Sequence, residues 1–183
     1  MSEFSLDLLK NFQRPITEVC GFPTLIDTGA VIPVFAFPKF ILEKAFDAKL
    51  KIADTNIGGF GGKCDGDVYS LNNIEIGDLK FSTMDVFVPK DIKPFLKHPI
   101  LLSATLFHNT IYEIDTVNNK FTVNIPDDNL CIKDFRIEEL KDKLYVQVDG
   151  VFFQEDDFEK LEIDNYTQYD IENDDYDDFE IGF

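Results

Sequence analysis

The segment of residues 25–30, which reads Leu-Ile-Asp-Thr-Gly-Ala, constrains this chain most. Two apolar residues that favour β-strands lead directly into an acid, a hydroxyl, a glycine and a small residue. This order predicts a buried strand that ends in a tight turn, because glycine permits the turn and the threonine hydroxyl can bond locally. The carboxylate of Asp27 would lie at the end of that strand, where it either caps the turn or takes part in catalysis.

A second informative segment, residues 57–62, reads Ile-Gly-Gly-Phe-Gly-Gly. Strand-like sequence on both sides predicts a long hairpin with this run at its tip. Glycines cost backbone entropy on ordering, so such a tip suits a hairpin that opens and closes. A plain glycine-rich tip is the structural alternative. A phosphate-binding loop would need a helix to follow, and residues 63–67, Lys-Cys-Asp-Gly-Asp, do not begin one.

These two segments, together with residues 98–104 (His-Pro-Ile-Leu-Leu-Ser-Ala), resemble the retropepsin-like (retroviral-type) aspartic peptidases. That family has an apolar pair before Asp-Thr/Ser-Gly-Ala, a glycine-rich flap, and an apolar strand that runs into a short helix. The resemblance covers about residues 15–126 and implies a mainly β fold. In detail it implies a closed β-barrel, or acid-protease half, with one or two short helices and a flap hairpin. The chain has Val31 where the family usually has Ser or Thr, and Ser103 where it usually has Gly.

The resemblance also implies roles for individual residues. The implied catalytic residues are Asp27, Thr28 and Gly29, and the implied substrate-binding residues are Ala30, Ile57, Gly58, Gly59, Phe60 and Gly61. Two carboxylates within about 3 Å share one proton, so one can activate water while the other protonates the peptide carbonyl. Because the chain has a single Asp-Thr-Gly, we expect a twofold homodimer to which each subunit supplies Asp27.

Three functions remain open from the sequence. The first is a homodimeric aspartic endopeptidase that cuts an extended, largely apolar peptide. The second is a retropepsin-like binding or regulatory module with weak or no catalysis, which Val31 and Ser103 favour. In the third, the acidic C-terminal segment does the work, as a mimic of nucleic acid or a ligand for a basic protein. That segment could also lie in the substrate groove of its own domain and suppress activity.

The distribution of charge predicts two parts of the chain. It carries 35 acids and 17 bases, a net charge of −18, which argues against nucleic acid and anionic membranes as partners. Residues 155–180 hold 13 of those acids and one base, interleaved with Phe and Tyr. We therefore expect a retropepsin-like domain at residues 1–153, with a core at about 15–126 and an additional hairpin at 127–153. An acidic tail would follow at residues 154–183.

The remaining composition argues against several kinds of site. No Cys or His pair has metal-ligand spacing, so we expect neither a metal nor a cofactor. Three widely spaced cysteines suit reduced thiols and a cytoplasmic location better than a disulfide framework. The N-terminal residues lack a basic stretch followed by an apolar one, so no secretory signal is expected. No apolar stretch approaches the roughly 20 residues that span a bilayer.

Local patterns predict individual elements. Pro38 and the apolar residues after it predict a short helix. Gly77-Asp78 and Asn118-Asn119 predict turns between strands, and a further hairpin is expected near residues 141–143. The leucines of residues 1–14 fit either a helix or a strand.

Overall fold

A computed structural model describes residues 2–10, 14–58, 62–140 and 143–154 of the chain. The strands are β1 (Ser2–Asp7), β2 (Ile16–Val19), β3 (Phe22–Asp27), β4 (Val34–Phe35), β5 (Lys49–Ile57), β6 (Cys64–Ile76), β7 (Leu79–Pro89), β8 (Ile100–Ser103), β9 (Ile111–Asp115), β10 (Lys120–Ile125), β11 (Ile132–Leu140), β12 (Lys143–Val148) and β13 (Val151–Gln154). The helices are α1 (Lys39–Phe46) and the 3₁₀ turns Lys93–Phe95, Ala104–Phe107 and Asp128–Cys131. The mainly β class predicted from the sequence is confirmed.

The strands form two sheets. A small sheet has the order β1-β10-β9, and a larger one has the order β13-β12-β11-β7-β4-β8-β3-β2. On the opposite edge of β7 lies β6, which pairs in turn with β5. Among the described strands this path does not return on itself, so the closed barrel that we expected is not seen. The physical reason lies in β7, where β11 pairs with Lys80–Met84 and β4 pairs at Phe87, so that the sheet branches.

Several local predictions are confirmed. Helix α1 begins directly after Pro38, and the left-handed Asp47 (φ 47°) ends it. Gly77 takes a positive φ of 57° in the turn between β6 and β7. The ambiguous N-terminal segment forms strand β1, which pairs with β10. The predicted hairpin near residues 141–143 is the β11–β12 pair; Lys141 and Asp142 at its tip lie outside the described residues.

The hairpin at residues 127–153, which is additional to the family pattern, is built into the core. Its strand β11 runs parallel to β7, and both β11 and β12 bury apolar side chains in the main core. The buried side chains are Phe135, Ile137, Val146 and Val148. Burial of this kind stabilises by roughly 1.5–3 kcal/mol per large aliphatic or aromatic side chain. These strands are therefore part of the same folded body as β7.

Gly66 in β6 lies against Phe87 and Val88 of β7 with no room for a side chain, which makes this glycine sensitive to substitution. A Cβ atom at Gly66 would lie 2.3 Å from Phe87 Cζ and 2.4 Å from the Val88 carbonyl oxygen. We expect Gly66→Ala to lower the free energy of unfolding by about 2–3 kcal/mol, because the ring and the backbone must both move. Urea denaturation measures this loss. Gly150→Ala is the control, since that glycine has open space and only a positive φ of 84°. Gly150→Ala measures the cost of backbone strain alone, and a loss of under about 1 kcal/mol in Gly66→Ala would contradict the steric argument.

The chain divides into two compact units, Met1–Phe153 and Gln154–Phe183. Of the second unit only Gln154 belongs to the described residues, so the predicted acidic tail and its proposed roles lie outside them. Within the ranges that the structure describes, no helix has the length and apolarity to cross a membrane.

Candidate functional site

Asp27 is the last residue of β3, a strand that lies between β2 and β8 in the larger sheet. The chain turns sharply after it. The backbone N–H of Gly29 donates to Asp27 Oδ1 (3.0 Å), and the N–H of Ala30 donates to the Asp27 carbonyl oxygen (3.2 Å). Asp27 and Ala30 are half-buried, while Thr28 and Gly29 are exposed. The carboxylate is thus oriented by its own turn and remains accessible.

The segment that follows β8 braces this turn. The N–H of Ala104 donates to the Ala30 carbonyl oxygen (3.1 Å), and the Thr105 hydroxyl donates to the Val31 carbonyl oxygen (2.5 Å). The hydroxyls of Ser103 and Thr105 are 2.8 Å apart. Since the single hydroxyl proton of Thr105 is committed to Val31, Ser103 must be the donor to Thr105. Fully buried Ser103 therefore takes part in holding the turn, at the position where a glycine was expected.

Thr105 is a site residue that the sequence interpretation missed. Its only signal was a hydroxyl within an otherwise apolar run at residues 104–107. We expect Thr105→Val to lower the free energy of unfolding by about 2 kcal/mol, because the Val31 carbonyl and the Ser103 hydroxyl both lose a buried partner. Chemical denaturation tests this value. Thr122→Val is the matched control, since its hydroxyl lies 2.9 Å from Ser5 Oγ at an exposed position. Equal losses in the two variants would show that Thr105 does not brace the turn.

The carboxylate of Asp27 shares a sheet face with a small apolar cluster. In β3 and β8, Asp27 pairs with Ser103 and Leu25 pairs with Leu101, so these residues lie on one face. Val34 pairs with Leu101 and with Phe87, which extends that face across two more strands. The cluster contains Val34, Ala36 and Phe87, with Ile32, Ile57, Cys64, Ile92, Phe95 and Leu101 packed against it and only partly buried. The opposite face of these strands packs into the main core.

The glycine-rich segment does join two strands, as predicted. Strands β5 and β6 pair from Lys49↔Ser70 to Ile57↔Cys64, and exposed Gly58 follows Ile57. Ile57 packs against the small apolar cluster, which lies on the same sheet face as Asp27. The predicted substrate-binding residues Gly59, Phe60 and Gly61 lie outside the described residues.

Burial shifts the pKa of two other titratable side chains near this region, Cys64 and His108. Burial, and then the charges of Asp65 and Asp91, raise the pKa of the Cys64 thiol, so little of it is the reactive thiolate. Burial is also the main reason that the pKa of His108 is lowered. Within the described part of the chain, no three His, Cys, Asp or Glu residues are grouped so that they could hold a metal ion.

Two ion pairs that each include one fully buried side chain were also not predicted from the sequence. Lys51 Nζ lies 2.7 Å from Asp85 Oδ2, and fully buried Lys133 Nζ lies 3.0 Å from Asp149 Oδ2. The partners are far apart in the chain, so no local pattern could have joined them. Single charged residues within apolar strand sequence were the only available signal.

Comparison with known proteins adds no assignment. No protein-family model matches the chain, and a search of curated proteins finds no match.

Proposed function

We propose that this chain is an aspartic endopeptidase of the retropepsin-like kind, active as a homodimer in which each subunit supplies Asp27. The observation that carries the proposal is the braced turn at the end of β3. It presents an accessible carboxylate on the same sheet face as partly exposed apolar side chains and the root of a glycine-rich hairpin. A turn-capping acid alone would require neither the accessible position nor the neighbouring apolar surface.

The proposed chemistry requires two carboxylates. When the turns of two subunits meet on a twofold axis, the two Asp27 side chains share one proton because adjacent like charges cannot both ionise. The ionised carboxylate takes a proton from water, which attacks the peptide carbonyl, while the protonated carboxyl group donates to the carbonyl oxygen. Gly29 leaves room for a peptide backbone beside the carboxylate.

The proposed substrate is an extended peptide with apolar side chains beside the cleaved bond. The partly buried residues of the small cluster form an apolar surface on the Asp27 face. Two of them, Ile57 and Cys64, belong to the strands of the glycine-rich hairpin. An extended peptide can hydrogen-bond through its backbone to the arms of a hairpin while its alternate side chains enter apolar pockets. The three cysteines of the chain are free, which favours a reducing, cytoplasmic location as part of this proposal.

Cleavage of a diverse peptide library between about pH 4 and 7 tests the function, with the oligomeric state of the same sample measured by light scattering. We expect cleavage by the dimer, with apolar residues preferred beside the cut bond. A dimer that cleaves nothing would overturn the proposal and favour the binding or regulatory module. A monomeric sample should be inactive and should gain activity as protein concentration rises, since each monomer contains half of the carboxylate pair.

A further inference from the structure

The first arm of the glycine-rich hairpin is bent at two points. The pairing register of β5 with β6 shifts between Leu50 and Ile52, and again between Ile52 and Thr55. Lys51 lies in the first of these bulges, and Asp54, with a positive φ of 55°, lies in the second. A bulge bends its strand and increases the local twist. The direction of β5 relative to β7 and β11 therefore depends on how these two points are held.

The first bulge is anchored by buried charge. Lys51 Nζ donates to Asp85 Oδ2 and to Glu138 Oε1, both at 2.7 Å. Asp85 is fully buried and also accepts hydrogen bonds from the Ser70 hydroxyl and from the backbone N–H of Ile137 (2.8 Å). Four strands, β5, β6, β7 and β11, thus meet at one carboxylate.

This carboxylate lies where β11 leaves β7. The parallel pairing of the two strands ends at Phe135↔Met84. Two residues further along β11, the N–H of Ile137 donates to the Asp85 carboxylate (2.8 Å). Asp85 therefore continues the attachment of β11 beyond the end of the backbone ladder and brings Lys51 into it.

The second bulge is held less firmly. Lys90 Nζ lies 2.5 Å from Asp54 Oδ1, and the side chains of this pair are 51% and 82% exposed. Exposed pairs of this kind contribute little because solvent screens them. The N–H of Asp54 also donates to Asp67 Oδ1 (2.9 Å), at an exposed position. The β6–β7 pairing ends at Gly66↔Pro89, and one further backbone hydrogen bond, from Lys90 N to the Asp65 carbonyl oxygen (2.9 Å), follows it toward the tip. Of the two ion pairs that hold these bulges, only the one at Lys51 therefore includes a fully buried partner.

We propose that Lys51 is a positioning residue that, through Asp85 and Glu138, fixes the bulge of β5 against β11. The additional hairpin of β11 and β12 then sets the direction of the described arms of the glycine-rich hairpin, residues 49–57 and 64–66, relative to the Asp27 face. The consequence for cleavage rests on the proposed endopeptidase function, whereas the positioning itself can be measured without it.

Backbone amide hydrogen exchange tests the positioning in the full chain. Glu138→Gln removes the charge link to β11 and keeps the Lys51–Asp85 pair. We expect about threefold faster exchange at residues 49–57 and 64–66, with an unchanged urea midpoint. Lys51→Met should accelerate the same amides at least tenfold, and Lys51→Arg, which keeps the charge, should restore them to within about twofold. Glu75→Gln is the control, because Glu75 forms an exposed ion pair with Lys80 (3.7 Å) at the opposite end of the β6–β7 pairing.

The outcomes separate the inference from the proposed function. Acceleration confined to the hairpin supports the inference. Unchanged exchange in both Glu138→Gln and Lys51→Met would overturn it, because Lys51 would then have no positioning role. Equal acceleration in every strand would also overturn it, because Lys51 would then stabilise the whole fold. In the peptide assay, Lys51→Met should raise KM several-fold and change kcat less, since the hairpin contacts substrate. If the wild-type dimer cleaves nothing, the proposed function fails, and the exchange data still decide the role of Lys51.

Discussion

Asp27→Asn is expected to lower kcat for peptide cleavage by at least about a thousandfold. The amide cannot accept a proton from water, and it cannot share a proton with the other subunit's side chain. The turn itself should persist, because the asparagine oxygen can still accept the hydrogen bond from Gly29 N. The loss should therefore appear in kcat while dimerisation and the urea midpoint stay close to those of the wild type. Steady-state kinetics, light scattering and denaturation on one preparation measure all three.

The chain offers a closely matched control at Asp115. That residue also ends a strand, precedes a threonine, and accepts a hydrogen bond from the amide two residues ahead, Val117 N, at 2.9 Å. Asp115→Asn should leave cleavage within about twofold of the wild type, because this turn is not the one that we place on the dimer axis. Retained cleavage in Asp27→Asn would refute catalysis by this residue, and an equal loss in both variants would point to damage to the fold.

Asp149→Asn is expected to lower the free energy of unfolding by about 3–5 kcal/mol. The Lys133 side chain has no solvent exposure, and its ammonium group donates to the His108 carbonyl oxygen (2.7 Å) and to Asp149 Oδ2 (3.0 Å). The substitution removes the negative charge that faces this buried cation. Asparagine tolerates the positive φ of 50° at this position, so backbone strain adds little. Urea denaturation followed by circular dichroism measures the loss.

The double variant Lys133→Met/Asp149→Asn separates charge from packing. Methionine has no charge to desolvate, so the free energy of unfolding of the double variant should fall by less than about 2 kcal/mol. A double variant that is less stable than Asp149→Asn would contradict the argument, as would a loss of under about 1 kcal/mol in Asp149→Asn itself. The result also bears on the site, because His108 follows the 3₁₀ turn that braces the Asp27 turn.

Much of the local structure follows from the sequence because it depends on neighbouring residues. The apolar pair before Asp27 forms a buried strand, and the turn directly after it orients the carboxylate through the N–H of Gly29. That turn does not require a glycine, because Gly29 has no positive φ and a Cβ atom there would lie 3.5 Å from Asp27 Oδ1. Pro38 precedes a helix and Gly77 forms a turn for equally local reasons. The N-terminal segment was ambiguous because its strand character comes from pairing with β10, more than a hundred residues away.

The closed barrel was the part of the fold prediction that the described strands do not support. The branch arises because two strands pair with the same edge of β7, β11 with its first half and β4 near its end. Strand β4 has only two residues and β11 mixes apolar with charged ones, and neither sequence specifies its position along that edge. Asp85, whose carboxylate holds β11 at the branch, is one acid among many in the sequence.

The sequence by itself determined the mainly β class, the turn that presents Asp27 and the hairpin that carries the glycines, since each depends on residues within a few positions of one another. Only the tertiary structure decided what holds these parts together. The Ser103 hydroxyl bonds to Thr105, and the Thr105 hydroxyl bonds to the Val31 carbonyl oxygen. The buried Asp85 carboxylate accepts hydrogen bonds from both Lys51 and β11. These contacts join residues distant in the chain, and their strength comes from exclusion of water, which depends on the complete fold.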